Sequence, residues 1–250
     1  MAKNDTALLR LSDLPLALCL LSRLPVTVRH FDRGAQAAWA YPLVGLLLGA
    51  LAALAGLFVL WLGLPAAMAA LVAVAVPIVL SGAMHEDGLA DTADGLWGGW
   101  TRERRLEIMK DSHIGSYGVI ALCLSLIARI IALWLLYEAG TATVAVMAGA
   151  MLSRAGMSVV MAALPHARAD GLSHAQGRAP WRSVAVGTTM ALGLTLMLLG
   201  PSGLATGVTA ALVVLGVCLV AHNKIGGQTG DILGATQQFV EIAVLVTLIP

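Results

Sequence analysis

The chain has 250 residues, of which 59% are hydrophobic and 12% charged, with 15 Lys+Arg set against 14 Asp+Glu. Water-soluble domains carry about a quarter charged residues, so this composition excludes an ordinary solvent-exposed globule. A formal charge of +1 likewise excludes a nucleic-acid partner held by bulk positive charge.

A bilayer core is about 30 Å thick, which a helix of roughly 20 apolar residues crosses. In chain order, residues 8–21 form an interrupted apolar stretch suited to the interface or to a re-entrant piece. Clear runs follow at 43–62, 66–82, 118–137, 143–164, 184–199 and 204–221, and a short one at 239–250. The expectation is an all-α, polytopic membrane bundle of six to eight transmembrane or membrane-associated helices, built as a single domain over 1–250. No signal-peptide pattern opens the chain, so the helices themselves would direct insertion. Cys19, Cys123 and Cys218 sit in apolar segments without ligand spacing and read as packing residues.

The connections sort by charge. Those at 63–65, 138–141 and 200–203 are short and nearly neutral. At the opposite helix ends lie Lys3, Arg10, Arg23, Arg29 and Arg33, then Arg102, Arg104, Arg105 and Lys110, then Arg168, Arg178 and Arg182, and finally Lys224. Basic loops mark the cytoplasmic side of a membrane protein, so the chemistry is expected there.

Residues 84–95, Met-His-Glu-Asp-Gly-Leu-Ala-Asp-Thr-Ala-Asp-Gly, pack four acids into a short stretch. If the helix continues through them, Asp87, Asp91 and Asp94 stand at i, i+4 and i+7, within an arc of about 60°. Like charges at that spacing destabilise a helix. Hard divalent ions take such oxygen ligands, and Mg²⁺ usually shares one or two carboxylates with substrate phosphates. His85 points away from that face and suits either a substrate contact or a boundary histidine.

Arg102 to Met109 reads as a short amphipathic surface helix whose arginines suit lipid headgroups. Lys110-Asp111-Ser112-His113, followed by Gly115 and Gly118, gathers a point charge for phosphate, a metal ligand or general base, and small hydrogen-bonding groups. The glycines would let a ligand approach the backbone. The Gly-rich stretch 223–234, with Lys224, Gln228, Thr229 and Asp231, suggests phosphate or nucleotide contact, although it is no Walker A. Arg129 and Arg154 fall inside apolar runs and should face the bundle, because a lipid-facing charge costs several kcal/mol; Arg154 could reach a substrate phosphate from inside.

These motifs, 85–95, 106–115 and 226–235 together with Ser22-Arg23-Leu24-Pro25, run in order over nearly the whole length. In them the chain resembles the cobalamin-5'-phosphate synthase family, also called adenosylcobinamide-GDP ribazoletransferases. The resemblance implies a bacterial inner-membrane transferase that takes adenosylcobinamide-GDP and α-ribazole or its 5'-phosphate, releases GMP, and forms adenosylcobalamin or its 5'-phosphate. It implies Mg²⁺ on Asp87, Asp91 and Asp94, with Lys110, Lys224 or Arg154 neutralising the remaining phosphate oxygens. Asp111, or a carboxylate of the cluster free of metal, would take the hydroxyl proton. Glu86 departs from the family pattern and carries least weight as a ligand. The resemblance leaves homo-oligomerisation open.

Two rivals fit less well. A CDP-alcohol phosphatidyltransferase would need arginine where Asp91 stands and a later Gly-xxx-Asp-xxx-Asp. A transporter would accommodate the buried charges and Pro77, but its acids would not gather at one face and an inverted repeat should appear.

Overall fold

The computed structural model describes residues 8–28 and 31–250; Lys3 and Arg29 lie outside them. The described chain is helical, with eleven α-helices and one 3₁₀-helix. Helix α1 (Asp13–Leu21) is followed by the 3₁₀-helix Gly34–Ala40, then by α2 (Tyr41–Trp61), α3 (Ala66–Ser81), α4 (Met84–Gly98) and α5 (Arg102–Ile108). The second half comprises α6 (Ser116–Glu138), α7 (Ala142–Ala163), α8 (Leu172–Gln176), α9 (Trp181–Leu199), α10 (Ser202–Ile225) and α11 (Gly230–Thr247).

Five of these elements are long and apolar enough to cross a bilayer, namely 34–61, α6, α7, α9 and α10, and the pair α3 and α4 makes a sixth if it counts as one broken span. At nine residues, α1 is about 13 Å long and cannot span. It is pinned instead by the buried Asp13, which accepts hydrogen bonds from Arg33 Nε at 2.6 Å and Trp39 Nε1 at 2.7 Å.

Helix α7 is the axis. Its apolar window is 83% buried, against 28%, 28% and 22% for α6, α9 and α10, and it packs on α2, α9, α10 and α11. Lipid tails are as apolar as leucine, so helices in a membrane associate through close packing of small residues. Accordingly, a methyl carbon built on Gly45 of α2 would sit 2.2 Å from the Ala150 carbonyl oxygen of α7.

Two expectations need revision. The acidic segment does not prolong the preceding helix, because Gly82 (φ 68°) and Ala83 (φ 58°) are both left-handed and α4 leaves α3 at 89°. Left-handed backbone at an alanine costs about 1 kcal/mol or more, and here it swings the acids across the end of the bundle. The last helix starts at Gly230, well before the apolar run at 239, because Gln237, Gln238 and Glu241 are buried among polar partners rather than exposed in a loop.

Close packing at Gly45 should be stringent. Gly45→Val is expected to abolish a cooperative thermal transition in detergent, whereas Gly193→Ala, where a methyl meets nothing within 4 Å, should leave Tm within a few degrees.

Candidate active site

Helices α4 and α11 cross backbone to backbone. A methyl on Gly88 would lie 2.9 Å from the Asp231 carbonyl oxygen and 3.2 Å from Gly234 Cα, and one on Gly234 would lie 3.2 Å from Gly88 Cα. This approach brings the first turn of α11, where the Thr229 hydroxyl caps the helix by accepting from Ile232 N–H, against the acidic face of α4. Asp91 then stands within electrostatic reach of Asp231, Asp87 and Asp94, with Arg168 as the opposing charge. Arg168 Nη2 lies 3.3 Å from Asp231 Oδ2, and the Thr229 hydroxyl donates to the same oxygen at 3.1 Å. Burial, more than its neighbours, raises the Asp231 carboxyl above the ordinary carboxylate range.

Asp87 and Asp91 share a cleft of about 500 Å³ with Lys110, Asp111 and Ser112. Asp87 also borders a second cavity of about 570 Å³, together with Ser22 and Arg23. Lys110 pairs with Asp170, whose other oxygen lies 3.5 Å from Arg168 Nε. A chain of charge thus links Lys110, Asp170, Arg168 and Asp231 around the rim. Asp111 is exposed and accepts from the His113 backbone and ring at 3.1 and 2.7 Å; these bonds hold it below the usual carboxylate range. Ser112 and His113 are exposed on the same loop.

One acid of the expected metal face is already engaged by the protein. Asp94 is buried, and its two oxygens accept from Gly115 N–H at 2.7 Å and Gly118 N–H at 2.9 Å, satisfying orphan amides at the start of α6. A methyl on either glycine would collide with Asp94 carboxylate oxygens at 2.5 and 2.4 Å, so the close approach expected of a ligand at these glycines is made by Asp94 itself. The same face of α4 meets the cleft at one end and α6 at the other. Asp231, from the neighbouring helix, adds a further carboxylate near Asp91. Among the described residues no three His, Cys, Asp or Glu side chains converge closely enough to form a complete cation site. The donor chemistry nonetheless fits a hard divalent ion, which needs few protein oxygens when phosphate and water supply the rest.

Other expected contacts are committed elsewhere. The Gln228 side chain is buried, lying 2.8 Å from His166 Nδ1 and accepting from the Ser173 hydroxyl. Its backbone zips onto Pro165 and Ala167, which joins the 164–170 loop to the start of α11. Lys224 is exposed at the end of α10 and does not line the acid cleft; its carbonyl accepts from Arg105, as that of Ile225 does from Arg102. These arginines therefore cap a helix rather than only meeting lipid. Arg154 is 1% exposed and donates to the Ala150 carbonyl of its own helix at 3.0 Å, with Glu241 and Glu86 as its charge partners. That burial removes it from direct reach of a phosphate in the cleft. Arg129 lies 3.2 Å from Glu86 and 3.7 Å from Glu241, so Glu86, which also lines the floor of the acid cleft, is tied to an interior charge. His85 is 2% exposed and lines a chamber behind the α4–α11 crossing.

The cobalamin-5-phosphate synthase family profile matches residues 13–249. The chain belongs to this family. A Bradyrhizobium diazoefficiens protein named adenosylcobinamide-GDP ribazoletransferase is 44% identical over 94% of this chain and 92% of its own length. Relatives of the same name from Sinorhizobium medicae and Mesorhizobium japonicum are 44% and 42% identical, covering 93% and 94% of this chain and 94% and 92% of their own. No solved structure matches significantly.

Within this synthase-family chain, Arg168, read from the sequence only as a topology charge, and Asp170, which that reading did not single out, stand at the rim of the acid cluster. Their only signal was a second basic loop, 164–182, of the same polarity as the first. Crowded, under-neutralised carboxylates cost stability, and relieving them stabilises while damaging function. Asp91→Asn should raise the stability of the metal-free protein at neutral pH by roughly 1 kcal/mol, read as a higher Tm in detergent with EDTA present. A lower Tm would mean that Asp91 is compensated rather than strained.

Proposed function

We propose that the chain transfers the adenosylcobinamide-phosphate group from adenosylcobinamide-GDP to a hydroxyl of α-ribazole or α-ribazole 5'-phosphate, releasing GMP, as an Mg²⁺-dependent transferase of the bacterial inner membrane with its cleft on the cytoplasmic side. The observation that carries the reading is the meeting of Asp87, Asp91 and Asp231 across the α4–α11 crossing, with cations confined to the rim. The shared name of the relatives supplies the substrates, and the basic loops at one end of the bundle support the orientation.

Asp87 and Asp91 would hold the ion. When bound, Mg²⁺ neutralises pyrophosphate charge and favours departure of the phosphate leaving group. The ribose hydroxyl oxygen forms the new bond to the phosphorus attached to cobinamide, and the bond from that phosphorus to the GMP oxygen breaks in line. Positioning and charge stabilisation dominate such a step. Lys110 is paired with Asp170 at an exposed position, where an ion pair is worth about 0–1 kcal/mol. It can therefore exchange Asp170 for a substrate phosphate oxygen at little cost. A proton acceptor works best when its pKa approaches the operating pH. Asp231, raised by burial, is better matched than Asp111, which His113 holds low, so we assign the hydroxyl proton to Asp231 and an orienting role to Asp111.

In proteoliposomes, Asp87→Asn should abolish GMP release while keeping the wild-type Tm; full activity in the folded variant would sink the assignment. EDTA should stop turnover and excess Mg²⁺ restore it. Asp231→Asn should lower kcat by about 10²-fold or more, and Asp111→Asn by less than tenfold.

A further inference from the structure

On the side of α4 away from its acids lies an apolar groove that the steps above do not use. Helices α6 and α10 both pack on α11. The space left between them is a cleft of about 530 Å³, with Ala235 and Phe239 of α11 as its floor and Leu89, Leu96 and Trp97 of α4 across one end. It opens sideways. Leu124 on the α6 wall is 63% exposed and Phe239 on the floor 42%, and both walls are helices long and apolar enough to cross a bilayer. The opening therefore faces lipid tails.

What the groove can hold follows from its lining and its length. Its two hydroxyl side chains have nothing to offer, since Ser125 donates to Gln238 at 2.9 Å and Thr92 is buried. A polar ligand entering there would lose its hydrogen bonds to water without replacement, which leaves a hydrocarbon. Along α10 the wall runs from Val213 to Ala221, about 12 Å at 1.5 Å per residue, against about 30 Å for the whole hydrocarbon core. That is close to one leaflet. A transmembrane helix of a second copy would pack along the whole core and find a seat for less than half its length, whereas an acyl chain is confined to one leaflet.

The charged end supplies the rest of the ligand. Val213, Val217 and Val220 recur at i, i+4 and i+7 on α10, and four residues beyond Val220 the same face ends in Lys224. Lys224 is exposed and has no ion-pair partner among the described residues. Trp97 is 64% exposed at the mouth of the groove, and Trp100 stands exposed beyond it. Tryptophan settles at headgroup level, and a lysine near a helix end reaches up to the interface. We infer that the groove is a binding site for one membrane phospholipid, with an acyl chain lying between α6 and α10 and the phosphate at Lys224. Because the chain fills the space behind Leu89 and Leu96, it holds α4 from the side opposite Asp87 and Asp91.

Native mass spectrometry in mild detergent is the first test, and wild type should retain one phospholipid. Gly216 lines the groove, and a methyl added there meets nothing within 4 Å. Gly216→Phe therefore fills the groove from within and should keep a cooperative thermal transition yet lose the lipid. Gly193→Phe, equally unobstructed on α9, should keep both. Phosphatidylglycerol with brominated chains, titrated into delipidated protein in detergent, should quench tryptophan fluorescence to saturation at one lipid per chain, and Trp97→Phe should remove that quenching. Lys224→Gln should weaken the apparent affinity about fivefold. Wild type retaining no phospholipid, Gly216→Phe retaining it, or a dimer that Gly216→Phe splits overturns the inference, and an unchanged affinity in Lys224→Gln overturns the place of the phosphate. Should Gly216→Phe fail to fold, the bromine titration decides, because saturable quenching that persists in Trp97→Phe puts the chain elsewhere.

Discussion

The site depends on a contact between two backbones. Where Gly88 and Gly234 meet, neither α4 nor α11 has a side chain to hold the other away, and the peptide planes close to a distance that only glycine permits. Without that approach, Asp231 would sit too far from Asp87 and Asp91 for their fields to overlap, and each acid would be an ordinary surface carboxylate. The left-handed pair Gly82-Ala83 is the complementary device. It turns α4 broadside so that its length lies across the start of α11 instead of running on beside it. Backbone geometry makes the electrostatics.

Beneath the crossing, the membrane interior carries an ionic cluster that a lipid environment would ordinarily reject. Arg129, from α6, meets Glu86 of α4 and Glu241 of α11, while Gln238 donates to Glu86 at 2.9 Å and accepts from Ser125 at 2.9 Å. Removing one member of a buried set strands its partner, at a cost of about 3–5 kcal/mol, so these charges are interdependent. They join α4, α6 and α11 below the acid cluster, and they hold the floor of the cleft in register while its rim of exposed pairs stays exchangeable.

Much of this was legible in advance, and the failures share a cause. The apolar runs located α2, α3, α6, α7, α9 and α10 closely, because a lipid-facing surface imposes a hydrophobicity that no local choice overrides. The interior roles of Arg129 and Arg154 followed from the same argument. The acid cluster announced itself through like charges at helical spacing. Spacing along one helix, however, says nothing about what approaches that face, so neither the approach of Asp231 to Asp91 nor the hydrogen bonds from Gly115 and Gly118 to Asp94 could be read from it. Gln228, Thr229, Arg102 and Arg105 looked like ligand-binding or lipid-binding groups because polar side chains that fasten one loop to another use the same chemistry as those that hold a substrate. The chamber at Tyr41 joins α1, α2, α4, α7, α8 and α11, elements too far apart in the chain for any local pattern to betray it.

The connections at the far end of the bundle, 62–65, 139–141 and 200–201, are little more than hairpin bends. Among the described residues, that end therefore presents only short connections between helices. The molecule is therefore one-sided. The acid cleft and the charged loops around it all lie at the other end, so the bundle serves as an anchor for one furnished face.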